Sequence, residues 1–528
     1  TLPFRTCPPL DFSIPEVREN VAVAISRLET ELSRSTPFYA ALINGKKATT
    51  GKTLPSRNPA ISGQILGEVA QCSEKEVNEA ISAAMAAREK WKKTPSGERA
   101  ALLFRTAHHL EKERSHLMAF EIMEAGKSWR EADGDICEAI DFLRYYAGEM
   151  TRLDALYRNP GTVSSIPGEE NRLIPQPLGI MAAIPPWNFP LALATGMIAA
   201  GVVAGNCVIF KPSSLSQVLG AKIMEAFLEA GIPPGVLQFL PGEGKSVGEL
   251  LVRHPQIALI AFTGSNEVGR HILSSAATLQ PGQKQFKRVI AEMGGKNAII
   301  VDDGADLDEA VSGVVASAFG YQGQKCSACS RVIVLRSVYA DFTRRLVSAT
   351  EDLVRGDPRS PSVFMGPVID EKARMKIKSY IKLGIETAKP LYVRKEADES
   401  GCFIGPAIFD NVSPESPLAQ EEIFGPVLSV FQAETFDDAL RLANDSLFGL
   451  TGGLYSRKPS HIEKAREAFH AGNLYINRKT TGAIVGRQPF GGFNLSGVGA
   501  KTGGPDYLLQ FMQVKSVSEN TRRKGYIP

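Results

Sequence analysis

The sequence predicts an α/β protein with a doubly wound parallel sheet and a second α/β domain, and three patterns along its 528 residues carry that prediction. Helical spacing of apolar residues dominates residues 75–155. From residue 177 short apolar runs alternate with helical segments, and a second alternating region begins near residue 297. Such alternation is typical of parallel sheets, whose ligands bind where strands end and helices begin.

The N-terminal helical block has a recognisable beginning. Ser73 followed by Glu76 predicts a capping box, and Val77, Ala80 and Ala84 then recur at helical spacing. Further helices are predicted over residues 97–125 and 132–153. The polar, turn-rich segment that follows, 161–176, predicts an excursion such as a hairpin.

The predicted strands are short apolar runs bounded by turn residues. Those of the first region are 178–184, 207–210, 236–240 and 258–262, and those of the second are 297–301, 331–335, 427–431 and 473–476. A chain of this length exceeds one typical core, so two or three domains are expected.

Composition narrows the functional class. The net charge is only +3 and no Lys/Arg block stands out, so neither nucleic-acid binding nor membrane-surface binding is predicted. Seven widely spaced cysteines, an odd number, favour a reducing compartment, and the cytoplasm is expected. The uncharged stretch 173–210 is broken by prolines at 185–190, and the apolar run 191–204 is shorter than the ~20 residues of a membrane span. A buried helix is predicted there.

Cys326 has the surroundings of a reactive thiol, since its neighbours are polar, small or basic. Cys329 completes a C-x-x-C pair, which is also typical of redox and zinc sites. A zinc site needs about four ligands and no second pair exists, so no metal site is predicted. The segment alone leaves a nucleophile and a structural cysteine equally open.

Other segments are ambiguous when each is taken alone. Glu292 precedes Gly294 and Gly295 and is either a general base or a charged residue before a turn. Asn188 lies between aromatic residues and prolines, and is either an oxyanion donor or part of a rigid turn.

Three loops are candidates for contacts with a nucleotide. Residues 262–269 follow a strand and open a helix, whose N-terminus could hold a pyrophosphate. Residues 241–246 end like a P-loop, but Phe239 stands where that motif requires glycine, so an ATPase is not predicted. In 421–427, a glutamate and an aromatic residue could contact a ribose and a flat ring.

The ordered set of motifs resembles the aldehyde dehydrogenase superfamily across nearly the whole chain. The matching stretches are PWNFP (186–190), KPSS (211–214), FTGS (262–265), EMGGK (292–296), GQKC (323–326), EEIFGPV (421–427) and PFGGFNLSG (489–497). Met293 departs from the leucine that most members carry. The resemblance implies a Rossmann-like cofactor domain, an α/β catalytic domain and a β-hairpin oligomerisation element.

Within the superfamily, the chain resembles the pyrroline-5-carboxylate dehydrogenase branch. The matching stretches are EAIDF (138–142), FKRVIAEMGGK (286–296), GQKCSACSR (323–331) and NRKTTGAIVGRQPFGG (477–492). This implies NAD-dependent oxidation of L-glutamate γ-semialdehyde to L-glutamate, the second step of proline catabolism. A dehydrogenase for another semialdehyde and a catalytically silent scaffold of the same fold remain alternatives.

The resemblance also implies catalytic roles for three residues. Cys326 attacks the aldehyde carbon, which splits a difficult reaction into easier covalent steps. The Asn188 amide and the Cys326 backbone N–H stabilise the oxyanion. Glu292 activates the water that hydrolyses the thioester.

For the cofactor, the resemblance implies NAD, with some use of NADP. The cofactor residues are Pro186, Trp187, Lys211, Ser214, Gly264, Ser265, Gly294, Glu422 and Phe424. Ser214 departs from the glutamate of many NAD-specific relatives, so the charge that would repel a 2′-phosphate is missing.

For the substrate, the resemblance assigns the two charged groups of the semialdehyde to different residues. Ser327, Gly482 and Ala483 bind the carboxylate, and Glu138 faces the ammonium. Phe189 and Phe490 pack on the methylene chain.

The resemblance implies three parts of the chain. Residues 1–157 and 177–293 form the NAD-binding domain, residues 294–497 the catalytic domain, and 158–176 with 498–528 the oligomerisation hairpin and C-terminal strand. A homodimer or larger homo-oligomer is expected, as is association with, or fusion to, proline dehydrogenase.

Overall fold

A computed structural model describes residues 4–48, 50–395 and 400–522. The α-helices of these residues are α1 (Pro15–Arg34), α2 (Glu74–Lys93), α3 (Ser96–Lys112), α4 (Arg114–Ala125), α5 (Trp129–Arg158), α6 (Ala192–Val203), α7 (Gln217–Glu229), α8 (Glu249–Arg253), α9 (Asn266–Ala277), α10 (Leu307–Phe319), α11 (Arg336–Glu351), α12 (Glu371–Thr387), α13 (Pro417–Gln420), α14 (Phe436–Asn444) and α15 (Pro459–Ala468).

The strands lie in several sheets. Their bounds are β1 (Phe38–Tyr39), β2 (Ala41–Ile43), β3 (Lys46–Ala48), β4 (Thr53–Arg57), β5 (Ile65–Ala70), β6 (Glu169–Pro177), β7 (Ile180–Ile184), β8 (Cys207–Phe210), β9 (Leu237–Phe239), β10 (Ile257–Thr263), β11 (Arg288–Glu292), β12 (Asn297–Val301), β13 (Cys329–Leu335), β14 (Lys389–Val393), β15 (Ala407–Asp410), β16 (Val427–Ala433), β17 (Phe448–Gly449), β18 (Thr451–Tyr455), β19 (Asn473–Ile476), β20 (Phe493–Asn494), β21 (Gly497–Val498) and β22 (Met512–Asn520).

The first large sheet has the order β21-β11-β10-β7-β8-β9-β2-β3. Its centre, from β11 to β9, is parallel, and antiparallel strands close both edges. From β7 the chain adds β8 and β9 on one side and later β10 and β11 on the other. The carboxyl ends of β7 and β10 therefore flank a topological switch point, where ligands bind in such sheets.

The second large sheet has the order β14-β15-β16-β13-β12-β18-β19 and is parallel except for β14. All five residues of β12 are buried, as expected for a strand covered by helices on both faces. Both predicted parallel regions are thus confirmed. The predicted division at residue 294 stays a proposal, and it falls between β11 and β12, where the chain changes sheets.

The helical block differs from the sequence prediction in one place. The capping box is present, since the Ser73 N–H donates to the Glu76 carboxylate over 2.7 Å. The helix predicted over 97–125 is instead two helices, α3 and α4, separated at Glu113, whose ψ of 11° leaves the helical range. The break lets α3 pack on α5 while α4 packs on α1.

The segment predicted as a hairpin supplies one long strand. β6 pairs antiparallel with the C-terminal strand β22 over nine residues, from Glu169 opposite Asn520 to Pro177 opposite Met512. Among the described residues of 158–176, the segment pairs with itself only at an isolated bridge between Ile166 and Glu169. The ribbon is therefore made by two distant parts of the chain. Residues 523–528 of the predicted C-terminal segment lie outside the described residues.

The uncharged stretch forms the buried helix that was predicted. α6 has eleven buried residues among its twelve and packs against α5. In the described part of the chain, no helix is both long and apolar enough to cross a membrane.

Candidate active site

The loop after β7 carries Asn188 to the carboxyl end of the first sheet. The Asn188 side chain is buried, and its Nδ2 donates to the backbone carbonyl of Gln324 over 3.0 Å. An amide nitrogen has two hydrogens, so this contact leaves one to donate to a reacting oxygen. Gln324 is two residues before Cys326, so the predicted oxyanion donor and the predicted nucleophile come together.

The loop that carries Cys326 is held rigidly from several sides. It follows a turn in which Tyr321 and Gln322 have left-handed φ values of 49° and 56°. Asn297 Nδ2 then donates to the carbonyls of Cys326, over 2.7 Å, and Ala328, over 2.8 Å. Strain of this kind persists only where the surroundings fix it, and it is common at functional sites.

The electrostatic surroundings of Cys326 are acidic and not basic, contrary to the expectation from its sequence neighbours. The neighbouring Lys325 ammonium is paired with Glu131 at 2.6 Å. Burial, together with the negative charges of Glu422 and Glu292, raises the pKa of the Cys326 thiol to about 12. The resting sulfur is therefore protonated at neutral pH, and a base must take its proton when it attacks.

Glu292 ends β11 and has the properties of such a base. Its Oε2 is buried and makes no hydrogen bond among the described residues. Burial raises the pKa of this carboxyl to about 8, although the Lys501 ammonium and the Gly492 N–H act in the opposite direction. A carboxyl that titrates near the operating pH is well suited to general base catalysis.

One cavity brings the predicted reacting and recognition residues together. Its lining includes Cys326 and Glu292 and all six predicted substrate residues, namely Glu138, Phe189, Ser327, Gly482, Ala483 and Phe490. The wall is mostly apolar, so charges inside the cavity are poorly screened and interact strongly with one another.

The recognition end of this cavity combines an acidic side chain with a tight turn. Burial is the main reason that the pKa of Glu138 rises to about 8, and the negative charge of Asp135 adds to it. Gly482 has φ +76°, a conformation that side chains other than glycine rarely adopt. This turn can present successive backbone N–H groups to an anion.

Several cavity residues were missed by the sequence prediction. Helical spacing could have indicated some of them, because Phe142 is four residues after Glu138, and Leu193 and Met197 are four and eight residues after Phe189. Thr502 and Tyr507 come from the segment before β22, where Tyr507 begins a 3-10 helix. No local pattern indicates that this segment returns to the site.

Four of the predicted cofactor residues form two close pairs, Trp187 with Phe424 and Gly294 with Glu422. The rings of Trp187 and Phe424 pack edge to face with centroids 5.5 Å apart. Glu422 Oε1 accepts from the Gly295 N–H over 3.0 Å. A Cβ on Gly294 would lie 2.2 Å from Glu422 Oε2, so only glycine leaves this carboxylate in place. Pro186, another predicted cofactor residue, immediately precedes Trp187 in the loop after β7.

The remaining predicted cofactor residues follow β8 and β10. Lys211 is buried, its Nζ donates to the Pro212 carbonyl over 2.9 Å, and burial lowers its pKa to about 8. Ser214 follows in the same loop and is half-buried. Ser265 caps α9 by accepting from the Val268 N–H, and Gly264 precedes it. The free N–H groups at the start of α9 suit a phosphate.

Cys329, the other half of the C-x-x-C pair, begins β13. Its thiol is buried and contacts the Arg331 carbonyl at 3.3 Å, whereas Cys326 is partly exposed in the cavity. All seven cysteines are free thiols. Cys329 is thus part of the sheet, and Cys326 is the thiol that a substrate can reach.

Comparison with known proteins agrees with this geometry. The sequence profile of the aldehyde dehydrogenase family matches residues 46–517. The chain belongs to this family. It is 46% identical over 517 residues to 1-pyrroline-5-carboxylate dehydrogenase of Geobacillus sp. (strain WCH70), covering 98% of this chain and 99% of the relative. It is 44% identical over 519 residues to 1-pyrroline-5-carboxylate dehydrogenase 2 of Bacillus subtilis (strain 168), with the same coverage.

Solved structures of the family superpose closely. The 1-pyrroline-5-carboxylate dehydrogenase from Thermus with bound NAD matches with a TM-score of 0.95 at 45% identity, covering 98% of this chain and 99% of that one. Proline utilization A from Bdellovibrio bacteriovorus matches with a TM-score of 0.96 at 45% identity. That protein is longer, and all of this chain spans 54% of it.

Proposed function

We propose that this aldehyde dehydrogenase oxidises L-glutamate γ-semialdehyde, the open form of pyrroline-5-carboxylate, to L-glutamate with NAD as the oxidant. The observation that carries the proposal is that Cys326 and Glu292 line the same cavity as Glu138, Ser327 and Gly482. The Geobacillus and Bacillus relatives are named for this activity, and the similarity to this chain covers 99% of each of them.

The first chemical step follows from the protonation states of two side chains. The Cys326 sulfur attacks the aldehyde carbon as its proton passes to the Glu292 carboxylate, whose pKa near 8 leaves a useful fraction ionised at neutral pH. The negative charge that develops on the aldehyde oxygen is met by the Asn188 amide and the Cys326 backbone N–H.

The second half of the reaction needs an oxidant and a water molecule. NAD held by the cofactor residues would supply the acceptor for the hydride of the former aldehyde carbon, and Cys326 would then carry the acyl group as a thioester. Glu292 first releases to solvent the proton that it took from Cys326, and its carboxylate then takes a proton from water as the water oxygen attacks the thioester carbonyl. The Cys326 sulfur leaves as a thiolate and takes this proton from Glu292. The same carboxylate therefore serves both steps.

The residues around Glu422 fit a dinucleotide. Its carboxylate, which the absence of a side chain at Gly294 leaves in place, can accept from ribose hydroxyls. Trp187, Phe424 and Lys211 would line the remainder, with the diphosphate at Ser265. Ser214 carries no charge, so NADP is expected to be used as well, less efficiently than NAD.

The decisive experiment is steady-state turnover of pyrroline-5-carboxylate with each cofactor, followed by the absorbance of the reduced nicotinamide. We expect turnover with both cofactors and a higher kcat/KM with NAD. Ser214→Glu should lower kcat/KM with NADP by about tenfold or more, because it places a negative charge against the 2′-phosphate. No turnover of this substrate would refute the proposed function.

Assembly and location are proposed on separate grounds. The ribbon of β6 and β22 exposes apolar side chains such as Ile174 and Val514, which suits pairing with a second copy in a homo-oligomer. Similarity to the bifunctional proline utilization A proteins supports association with a proline-oxidising enzyme. Seven free thiols favour a cytoplasmic location. Light scattering of the purified chain, with and without charged substitutions on the ribbon, tests the oligomer.

A further inference from the structure

A buried ionic cluster lies beside the active site and takes no part in the steps above. We call Glu121, Lys127 and Asp135 the buried triad. Lys127 Nζ lies 2.9 Å from Glu121 Oε2 and 2.8 Å from Asp135 Oδ2, and the three side chains have no exposed area. Removing such charges from water costs several kcal/mol per ion, and apolar replacements are often equally stable. A contribution to stability alone therefore does not explain the triad.

The charges of the triad act on one another. Burial and the adjoining negative charge of Asp135 hold the pKa of Glu121 well above its usual range. Burial acts to lower the pKa of Lys127, but the charges of Asp135 and Glu121 outweigh this and raise it. Lys127 therefore keeps its positive charge between the two carboxyl groups, and Glu121 is the one whose protonated form is favoured.

Asp135 connects the triad to the loop that carries the oxyanion donor. Its two carboxylate oxygens accept from the N–H groups of Leu191 and Ala192, each over 3.2 Å. These are N–H groups at the start of α6, three and four residues after Asn188. A negative charge at a helix N-terminus is stabilising, and here it comes from another helix, α5.

Lys127 connects the same triad to the turn before the nucleophile. Its ammonium lies over the ring of Phe189, 4.8 Å from the centroid, and over the ring of Tyr321, 5.4 Å from the centroid. Tyr321 is the left-handed residue five positions before Cys326, and its hydroxyl donates to the Ala125 carbonyl over 2.8 Å. Cation–π contacts are strongest when the ammonium is desolvated, as it is here.

We propose that the buried triad is a positioning unit of the oxyanion site, which holds Asn188 in place relative to Cys326. Asp135 fixes the loop after β7, Lys127 fixes the turn before the nucleophile, and their ion pair joins the two. The triad acts through Asn188 and touches no reacting atom. This inference rests on the proposed oxidation through Cys326.

The test begins with Asp135→Asn. When Asp135 loses its charge, Glu121 is expected to ionise and pair with Lys127, so no unpaired charge is left in the core. A misplacement of about 1 Å in a catalytic group costs about 10²-fold in rate. We expect kcat to fall by about 10- to 100-fold, with KM values for substrate and NAD that change by less than about threefold.

A double-mutant cycle separates positioning from general destabilisation. In an Asn188→Ala background, Asp135→Asn should lower kcat by less than about twofold, because the group that it positions is gone. Equal fold losses of kcat in both backgrounds would overturn the inference. So would an unchanged kcat in the single variant. Absence of turnover in the unmodified chain would overturn both this inference and the proposed function.

The chain offers a matched control on the same helix. Asp133 is buried in α5 and ion-paired with Arg114 at 2.6 Å, but its other contact is the Leu10 N–H and not an active-site loop. Asp133→Asn should lower the melting temperature while kcat stays within about twofold. If Asp135→Asn fails to fold, Lys127→Gln with Asp135→Asn removes both charges of the ion pair. This double variant must show the same dependence on Asn188.

Discussion

The two ends of the active-site cavity each carry a buried carboxyl with a pKa of about 8, and they reach that value differently. At the reacting end, burial raises the pKa of Glu292, and the Lys501 ammonium and Gly492 N–H oppose the rise. At the recognition end, burial raises the pKa of Glu138, and the charge of Asp135 adds to it while Lys127 opposes it. Equal pKa values therefore do not imply equal roles.

What distinguishes the two carboxyls is their position. Glu292 is at the end of a strand, with one oxygen that makes no hydrogen bond, in the same cavity as the Cys326 sulfur. Glu138 is on a long helix beside the turn at Gly482. The first should govern the chemical steps for every aldehyde, and the second should govern only substrates with a positive charge at the far end.

The largest effect is expected at the nucleophile. Cys326→Ala should lower kcat by about 10⁵-fold or more for all aldehydes, because no covalent intermediate can form. Steady-state assays with pyrroline-5-carboxylate and with propionaldehyde check this. Cys329→Ala is the matched control and should leave kcat within about twofold, since its thiol belongs to β13. Normal turnover in Cys326→Ala would refute the assignment of the reacting end.

Glu292→Gln should have the next largest effect and should change the pH profile. Removal of a general base costs about 10²- to 10⁴-fold in kcat. Only the ionised carboxylate is a base, so the rate of the unmodified protein should rise with pH up to about 8 and then level off. The glutamine variant should lose that rise. A profile that is the same in both proteins would show that another group is the base.

Glu138→Gln tests the recognition end. A lost charged hydrogen bond costs about 1.5–3 kcal/mol, so KM for glutamate semialdehyde should rise by about 10- to 100-fold. KM for propionaldehyde, which has no ammonium, should stay unchanged. Because the pKa of Glu138 is near 8, KM for the semialdehyde should fall as pH rises through that value. Equal changes for the two aldehydes would contradict the division between the ends.

The smallest effect is expected at Ser327, where the two ends meet. It follows the nucleophile directly, yet its hydroxyl is assigned to the substrate carboxylate. Loss of one neutral hydrogen bond costs about 0.5–1.5 kcal/mol, so Ser327→Ala should raise KM for the semialdehyde by about two- to tenfold. The kcat with propionaldehyde should be unaffected. A fall in that kcat would move Ser327 to the reacting end.

Much of the fold could be predicted from local pattern. The strands over 207–210, 297–301 and 473–476 have the predicted bounds, because each is a short run bounded by polar or turn residues. The break at Glu113 could not be predicted, since no proline or glycine marks it. Both helices pack on α5, and α4 also packs on α1, a contact between segments far apart in the sequence. The pairing of β6 with β22 is also beyond local pattern.

The candidate site shows the same division. Ordered motifs were sufficient to name Cys326, Glu292 and Asn188, and the structure brings the first two into one cavity and the third beside the nucleophile loop. The expectation that Cys326 has basic surroundings was wrong. Lys325 is its neighbour in the sequence, but the Lys325 ammonium pairs with Glu131 on α5. Thr502 and Tyr507 also line the cavity, although neither lies in any of the recognised sequence motifs.

The sequence by itself determined most of the secondary structure and the residues proposed as reactive groups, because periodicity and residue type are local properties. Only the tertiary structure decided how those groups are charged and which of them meet. A pKa depends on burial and on charges that are close in space, as the thiol of Cys326 and the carboxyls of Glu292 and Glu138 demonstrate. The contacts of the buried triad likewise join α5 to two loops that lie far apart in the sequence.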